Sequence, residues 1–290
     1  MPRIGVLQMC SGIDPAANFD TIRAAAQAAS AGGAEMLFTP EMSLLIDRDR
    51  ARAAPHIVAQ EDSPFVRMFG ELSAETGITI ALGSMPVAVP GGQYANRAML
   101  FRPDRTPPLT YDKIHMFDVQ LASGETWRES NAYRGGSEVV TAEETPVGRL
   151  GLTICYDLRF PALFEALGQR QCDAIAIPAA FTVSTGAAHW HVLQRARAIE
   201  ASAFVIAAAQ VGQHEDGRVT YGHSLVVDPW GEVLLDMGGE EPGLALVDID
   251  LSRIAEVRSQ LPSLANRRDI TNLTGLKLLS GCHDRLRPHL

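Results

Sequence analysis

Two runs in this chain, Ala174-Ile-Ala-Ile-Pro178 and Phe204-Val-Ile-Ala-Ala-Ala209, are apolar at nearly every position. As strands they need cover on both faces, which only a sheet packed between other layers supplies. Further runs at Arg3–Met9, Met36–Thr39, Ile78–Gly83, Ala98–Phe101, Arg149–Ile154, Ser224–Asp228 and Leu244–Ile249 have the same strand character. Helical patterns lie between several of them, at Ala16–Ala31, Ser63–Thr76, Phe160–Gly168 and Ala188–Ala201. In the last, Trp190, Leu193, Ala196, Arg197 and Glu200 recur at the three- and four-residue steps of one helix face. Asp14-Pro15 supplies an N-cap and a first-turn proline, and Gly32-Gly33 a stop. Near the end, Leu225-Val-Val-Asp-Pro-Trp-Gly-Glu-Val-Leu-Leu235 sets turn residues between two apolar runs, the mark of an antiparallel hairpin. Buried strands interleaved with helices, plus a hairpin, predict an α/β protein with mixed sheets.

With 46% hydrophobic residues among 290, the chain has the apolar content for a full core. No Gly/Ser/Pro-rich linker or charge block divides it, so a single domain over residues 1–270 with a tail at 271–290 is expected. The longest apolar stretch, Ala203–Ala209, falls far short of the ~20 residues of a membrane span. No basic-then-apolar leader opens the chain, and the expected location is the cytoplasm. A net charge of −9 with scattered Lys and Arg argues against nucleic-acid partners. Cys10, Cys155, Cys172 and Cys282 are widely separated, with neither CxxC nor zinc spacing, so free thiols and no metal are expected.

Three short segments carry reactive side chains, two of them just past strand ends, where the active sites of α/β sheets gather. In Arg149-Leu-Gly-Leu-Thr-Ile-Cys155-Tyr-Asp-Leu-Arg159-Phe-Pro161 a strand runs into a cysteine, and a proline soon starts a helix. A nucleophile at such a turn is exposed beside free backbone N–H groups. A buried, inert thiol is the competing reading. A free thiol titrates near pKa ~8.5 and needs a base. His115, His189, His191 and His223 would serve a Cys–His pair, and Glu41, after Phe38-Thr39-Pro40, a Cys–carboxylate pair. Lys113, in Tyr111-Asp-Lys-Ile-His-Met-Phe-Asp118, has the charge to stabilise an oxyanion. Spacing alone does not bring these residues together.

In order and context, Thr39-Pro40-Glu41, Asp112-Lys113-Ile114-His115 and Thr153-Ile154-Cys155-Tyr156-Asp157 resemble the nitrilase superfamily of carbon–nitrogen hydrolases, and the likeness runs from Ile4 to about Arg268. It is nearest to the Nit branch, which includes deaminated-glutathione amidase and omega-amidase activities. The stretches that carry this are His115-Met-Phe-Asp-Val119, Glu129-Ser-Asn131 with Gly135-Gly136, Phe181-Thr-Val-Ser-Thr-Gly-Ala-Ala-His-Trp190, Arg195-Ala-Arg-Ala-Ile-Glu200 and Tyr221-Gly-His-Ser-Leu-Val-Val-Asp-Pro-Trp-Gly231.

The resemblance implies a four-layer α-β-β-α sandwich, paired into a homodimer or larger assembly. It implies an amidase that attacks a linear amide through Cys155, with Glu41 as base, Lys113 on the oxyanion and Glu129 orienting the lysine or substrate. Tyr156 would offer its backbone N–H to the oxyanion. Arg159, near the start of the following helix, would hold the carboxylate of a 2-oxo acid, with Phe181 and Thr185 on a loop lining the same pocket. A structural ion pair of Arg159 with Asp157 or Glu165 is the alternative. No cofactor is implied, and the partner is a small amide, deaminated glutathione or a related 2-oxo acid amide. Omega-amidase, N-carbamoyl amino acid hydrolase, nitrilase and a non-catalytic binding module are the other readings.

Overall fold

Along the first strand, side chains alternate between two different cores. Ile4 and Val6 point into a cluster shared with Leu150, Leu152, Ile175 and Ile177, whereas Leu7 joins Phe19, Ile22, Phe69 and Leu72. A two-residue side-chain period thus gives one strand an inter-sheet face and a helix-facing face. The computed structural model that shows this describes residues 1–121, 124 and 126–268. The expected tail and Cys282 lie outside the described residues.

The first half of the chain runs β1 (Arg3–Gln8), α1 (Pro15–Ala31), β2 (Met36–Phe38), α2 (Arg50–Ala53), α3 (Pro64–Thr76), β3 (Thr79–Val89), β4 (Gln93–Phe101) and β5 (Leu109–Asp112). A small hairpin, β6 (Asp118–Gln120) and β7 (Thr126–Arg128), leads into β8 (Thr141–Thr145), β9 (Gly148–Leu152), α4 (Pro161–Gln169), β10 (Ala174–Ala176), α5 (Val183–Ala201) and β11 (Phe204–Ala207). A second hairpin, β12 (Val211–Gln213) and β13 (Val219–Tyr221), precedes β14 (Leu225–Val227), β15 (Val233–Asp236), β16 (Gly243–Asp248) and α6 (Ser252–Gln260).

Two six-stranded mixed sheets result, β16-β1-β2-β3-β4-β5 and β8-β9-β10-β11-β14-β15. Each has three parallel strands at its centre, β1-β2-β3 or β9-β10-β11, flanked by antiparallel partners. The two halves therefore repeat one topology with no repeat in the sequence. Helices α1 and α3 pack on the first sheet and α4 and α5 on the second, giving the expected α-β-β-α sandwich. Asp14 caps α1 as read, its carboxylate accepting from Ala16 N–H at 2.9 Å, and the Asp-Pro-Trp-Gly hairpin joins β14 to β15. No helix among the described residues is long and apolar enough to cross a membrane.

Helix α5 starts at Val183 rather than Ala188. Its first turn, Val183-Ser-Thr-Gly186, has poor helix formers, and packing overrides propensity there. Thr185 is consequently in a helix and not, as expected, on a loop. Arg159 closes a separate 3-10 turn, Cys155–Arg159, ahead of α4.

Candidate active site

Glu41 lies three residues past β2, Lys113 directly follows β5, and Cys155 lies three residues past β9. Strand β5 is antiparallel to β4, which is antiparallel to β3, so β2, β3 and β5 all end on one edge of their sheet. The face-to-face sheets bring that edge to the end of β9. Gly83 on β3 lets the Glu41 loop lie this close, because a β-carbon there would overlap the carbonyl oxygens of Thr39 and Pro40 and the Pro178 ring.

At the junction Lys113, 2% exposed, donates to Glu41 Oε1 at 2.9 Å and to Glu129 Oε1 and Oε2 at 3.1 and 2.9 Å. The Cys155 thiol, 7% exposed, lies beside the Glu41 carboxylate and close enough to Lys113 for both charges to act on it. Ala180 N–H donates to Glu41 Oε2 at 2.9 Å, and Phe117 N–H to Glu129 Oε2 at 2.7 Å. Burial and then the Glu41 charge push the Cys155 thiol well above its ordinary value, and Lys113 only partly offsets them. The resting sulfur is therefore protonated, and it needs a base at contact distance. Burial opposes the charge on Lys113, yet Glu129 and Glu41 hold its pKa well above the usual lysine value. It stays an ammonium.

Cys155 has φ +49°, a left-handed backbone uncommon for a side chain with a β-carbon. The turn is braced from below. Cys155 N–H donates to Pro178 O at 2.8 Å, and the fully buried Asp157 carboxylate accepts from Ile154 N–H at 2.9 Å. Asp157 also accepts from Tyr111 OH at 2.6 Å and His115 N–H at 3.0 Å, and His115 Nδ1 lies 2.7 Å away. One buried carboxylate thus ties the lysine loop to the cysteine turn. Burial and then the Asp157 charge push the Tyr111 phenol upward, so it remains a donor.

All eight side chains named from the sequence, Glu41, Lys113, Glu129, Cys155, Tyr156, Arg159, Phe181 and Thr185, line one cavity of about 930 Å³. The alternative ion pairs for Arg159 do not form. Asp157 is occupied as described and Glu165 pairs with Arg267, while Arg159 packs over the rings of Phe181 and Tyr156 at 5.3 and 5.9 Å and lies 3.2 Å from His189 Nδ1. Among the described residues no histidine hydrogen-bonds Cys155 either. His115 stacks on Phe160, and His191 and His223 both bond Asp236. Among the described residues, His191, His223 and Asp236 have the geometry to hold a metal, their ligand atoms lying within 4.8 Å, but none lines the cavity.

Sequence reasoning missed Asn96. Fully buried on β4, it donates to Glu41 Oε1 at 2.9 Å and to Glu129 Oε1 at 3.3 Å, holding both carboxylates around the lysine. Its signal was an amide in an otherwise apolar inward register. Gln210, which donates to the Glu41 carbonyl at 3.0 Å, was missed for the same reason.

A carbon–nitrogen hydrolase family model matches residues 3–259. A deaminated glutathione amidase of Yersinia enterocolitica is 38% identical over 276 residues, which is 93% of this chain and 94% of that one. Among solved structures, the Caenorhabditis elegans NitFhit protein superposes with a TM-score of 0.83 at 34% identity, covering 92% of this chain and 65% of that longer one. An amidase from Nesterenkonia sp. AN1 superposes with a TM-score of 0.76 at 25% identity, covering 92% and 94% of the two chains. That structure is of a mutant of the amidase and shows covalent addition of the acetamide moiety of fluoroacetamide at its active-site cysteine.

Proposed function

The chain belongs to the carbon–nitrogen hydrolase family, and from that premise we propose that it is a cysteine-dependent amidase acting on deaminated glutathione or a closely related 2-oxo acid amide. Cys155 attacks the amide carbon while Glu41 takes the thiol proton. The oxyanion forms between the Lys113 ammonium and a backbone N–H, that of Tyr156. Glu41 returns the proton to the departing amine, then activates the water that hydrolyses the thioester. Glu129 keeps Lys113 aimed at the oxyanion. The observation that carries this reading is the buried Cys155 lining one cavity with the Glu41 carboxylate, which itself accepts from the buried Lys113 ammonium at 2.9 Å. A protonated nucleophile, its base and an oxyanion partner line that one buried corner together.

Support for a 2-oxo acid substrate comes from Arg159. It is half-buried on the cavity wall, with no carboxylate partner among the described residues. Its fork matches a carboxylate, and Phe181 and Thr185 line the cavity with it. The apolar chain and the branch it resembles support a homodimer, which light scattering tests.

The deciding experiment measures 2-oxoglutarate release from deaminated glutathione and 2-oxoglutaramate, beside product release from N-carbamoyl amino acids and an aliphatic nitrile. The 2-oxo acid amides are expected to lead. Cys155→Ala should abolish turnover while leaving the melting temperature near that of the parent, and Arg159→Ala should cost at least about tenfold on 2-oxo acid amides and much less on neutral short amides. Preference for the nitrile or the carbamoyl compounds would overturn the substrate assignment.

A further inference from the structure

The cavity is far larger and far more positive than attack on one small amide demands. At about 930 Å³ it reaches the upper range for drug-sized ligands, roughly 300–1,000 Å³. Among the described residues six cationic side chains line it, Lys113 and the arginines at 48, 50, 128, 159 and 218, against three carboxylates, Glu41, Asp47 and Glu129. On a chain of net charge −9 this is a local reversal of sign, and such a cleft concentrates anions.

The arginines fall into separate groups. Arg159 sits on Tyr156 and Phe181, whereas Arg48 and Arg218 sit on Trp127, their guanidinium carbons 5.4 and 5.3 Å from the indole ring. Between the two groups runs a row of rings, Tyr156 to Phe117 at 5.1 Å and Phe117 to Trp127 at 6.1 Å. One carboxylate cannot span three rings, so the groups read two different anions. The Arg48–Arg218 pair shares a single fully buried carboxylate, Asp216, at 3.9 and 2.9 Å. Asp47 is taken by Arg52, so among the described residues one net positive charge remains at this end of the cavity.

We infer that Arg48, Arg218 and the face of Trp127 form a second anion subsite, which takes a carboxylate on the leaving-group side of the substrate. The favoured substrate is then a dianionic amide. A 2-oxo acid carboxylate lies on Arg159, and a peptide-like amine with a free terminal carboxylate extends along the aromatic row to Arg48. The inference rests on the amidase reading above and names the part of the substrate that reading leaves open.

The test compares deaminated glutathione with its C-terminal carboxamide, which lacks only the distal charge. Arg48 is half-exposed, so Arg48→Gln keeps the fold and leaves Asp216 paired with Arg218. The ratio of kcat/KM for the acid over the carboxamide should fall at least about tenfold in Arg48→Gln, the usual worth of a charged hydrogen bond. The loss should lie in KM. The same pair of ligands is titrated calorimetrically into Cys155→Ala protein with and without Arg48→Gln, and the discrimination should fall there too. An unchanged ratio in an active enzyme overturns the subsite and leaves the amidase reading standing. Arg48-dependent binding of the acid without any hydrolysis by the parent protein upholds the subsite and overturns the substrate assignment. Neither binding nor hydrolysis overturns both.

Discussion

Glu129→Gln removes one charge and almost no volume, yet it should disable the site. Both oxygens of Glu129 face donors only. Oε1 receives Lys113 and Asn96, and Oε2 receives Lys113 and Phe117 N–H. An amide has to turn its NH₂ toward one of those sets, placing donor against donor in a site where Lys113 is 2% exposed. At least one charge-assisted hydrogen bond to the ammonium is lost. At about 1.5–3 kcal/mol for that bond and about 1.36 kcal/mol per tenfold in rate, kcat should fall about 10- to 150-fold. KM should change little, because in the proposed mechanism Lys113 acts on the oxyanion and not on the ground-state carboxylate assigned to Arg159. Glu129→Asp keeps the charge but pulls it back, so it should recover part of the loss. The assay is steady-state release of 2-oxoglutarate, with thermal melts to show that each variant is folded. Activity of Glu129→Gln within about twofold of the parent, or a loss confined to KM, would refute the claim that this carboxylate aims the lysine.

Glu41→Gln should abolish turnover and still move the pH midpoint of Cys155 alkylation by iodoacetamide downward, since the Glu41 charge helps hold the thiol up; a midpoint that stays or rises counts against the contact. Gly83→Ala pushes the loop that carries Glu41 away from β3, and should cost about 1–3 kcal/mol of stability, the scale of an overpacked core, together with most activity, read by denaturant unfolding. Burial lifts the Cys172 thiol to about 12, so the folded state holds its proton longer than the unfolded chain. Its contribution to stability should be intact below pH ~8.5 and drain away as pH climbs toward the folded value. Cys172→Ala should flatten the alkaline fall in melting temperature, and an unchanged slope would show that the thiol is not the group responsible.

The layered α/β class is legible in the residues alone, because strands without a polar face have no stable place except between covering layers. So are the reactive loops, because Glu41 and Cys155 follow short apolar runs closely enough that the strand ends are unmistakable. Strand β5 escaped notice, since Leu109-Thr-Tyr-Asp112 has no long apolar run, and the β3–β4 hairpin was read as two shorter pieces. Only the tertiary structure decided that three groups separated by 72 and 42 residues along the chain meet at one ammonium. Parallel pairing of β2 with β3 and the path through β4 to β5 set the edge on which each loop ends, and no local spacing encodes that. The same holds for Asn96, Gln210 and Asp157. Each is a buried polar side chain whose partners lie on other elements, so its role exists only after the sheets have packed. Arg159 shows the converse, for its neighbours in sequence suggested ion pairs that the fold had already assigned to other donors.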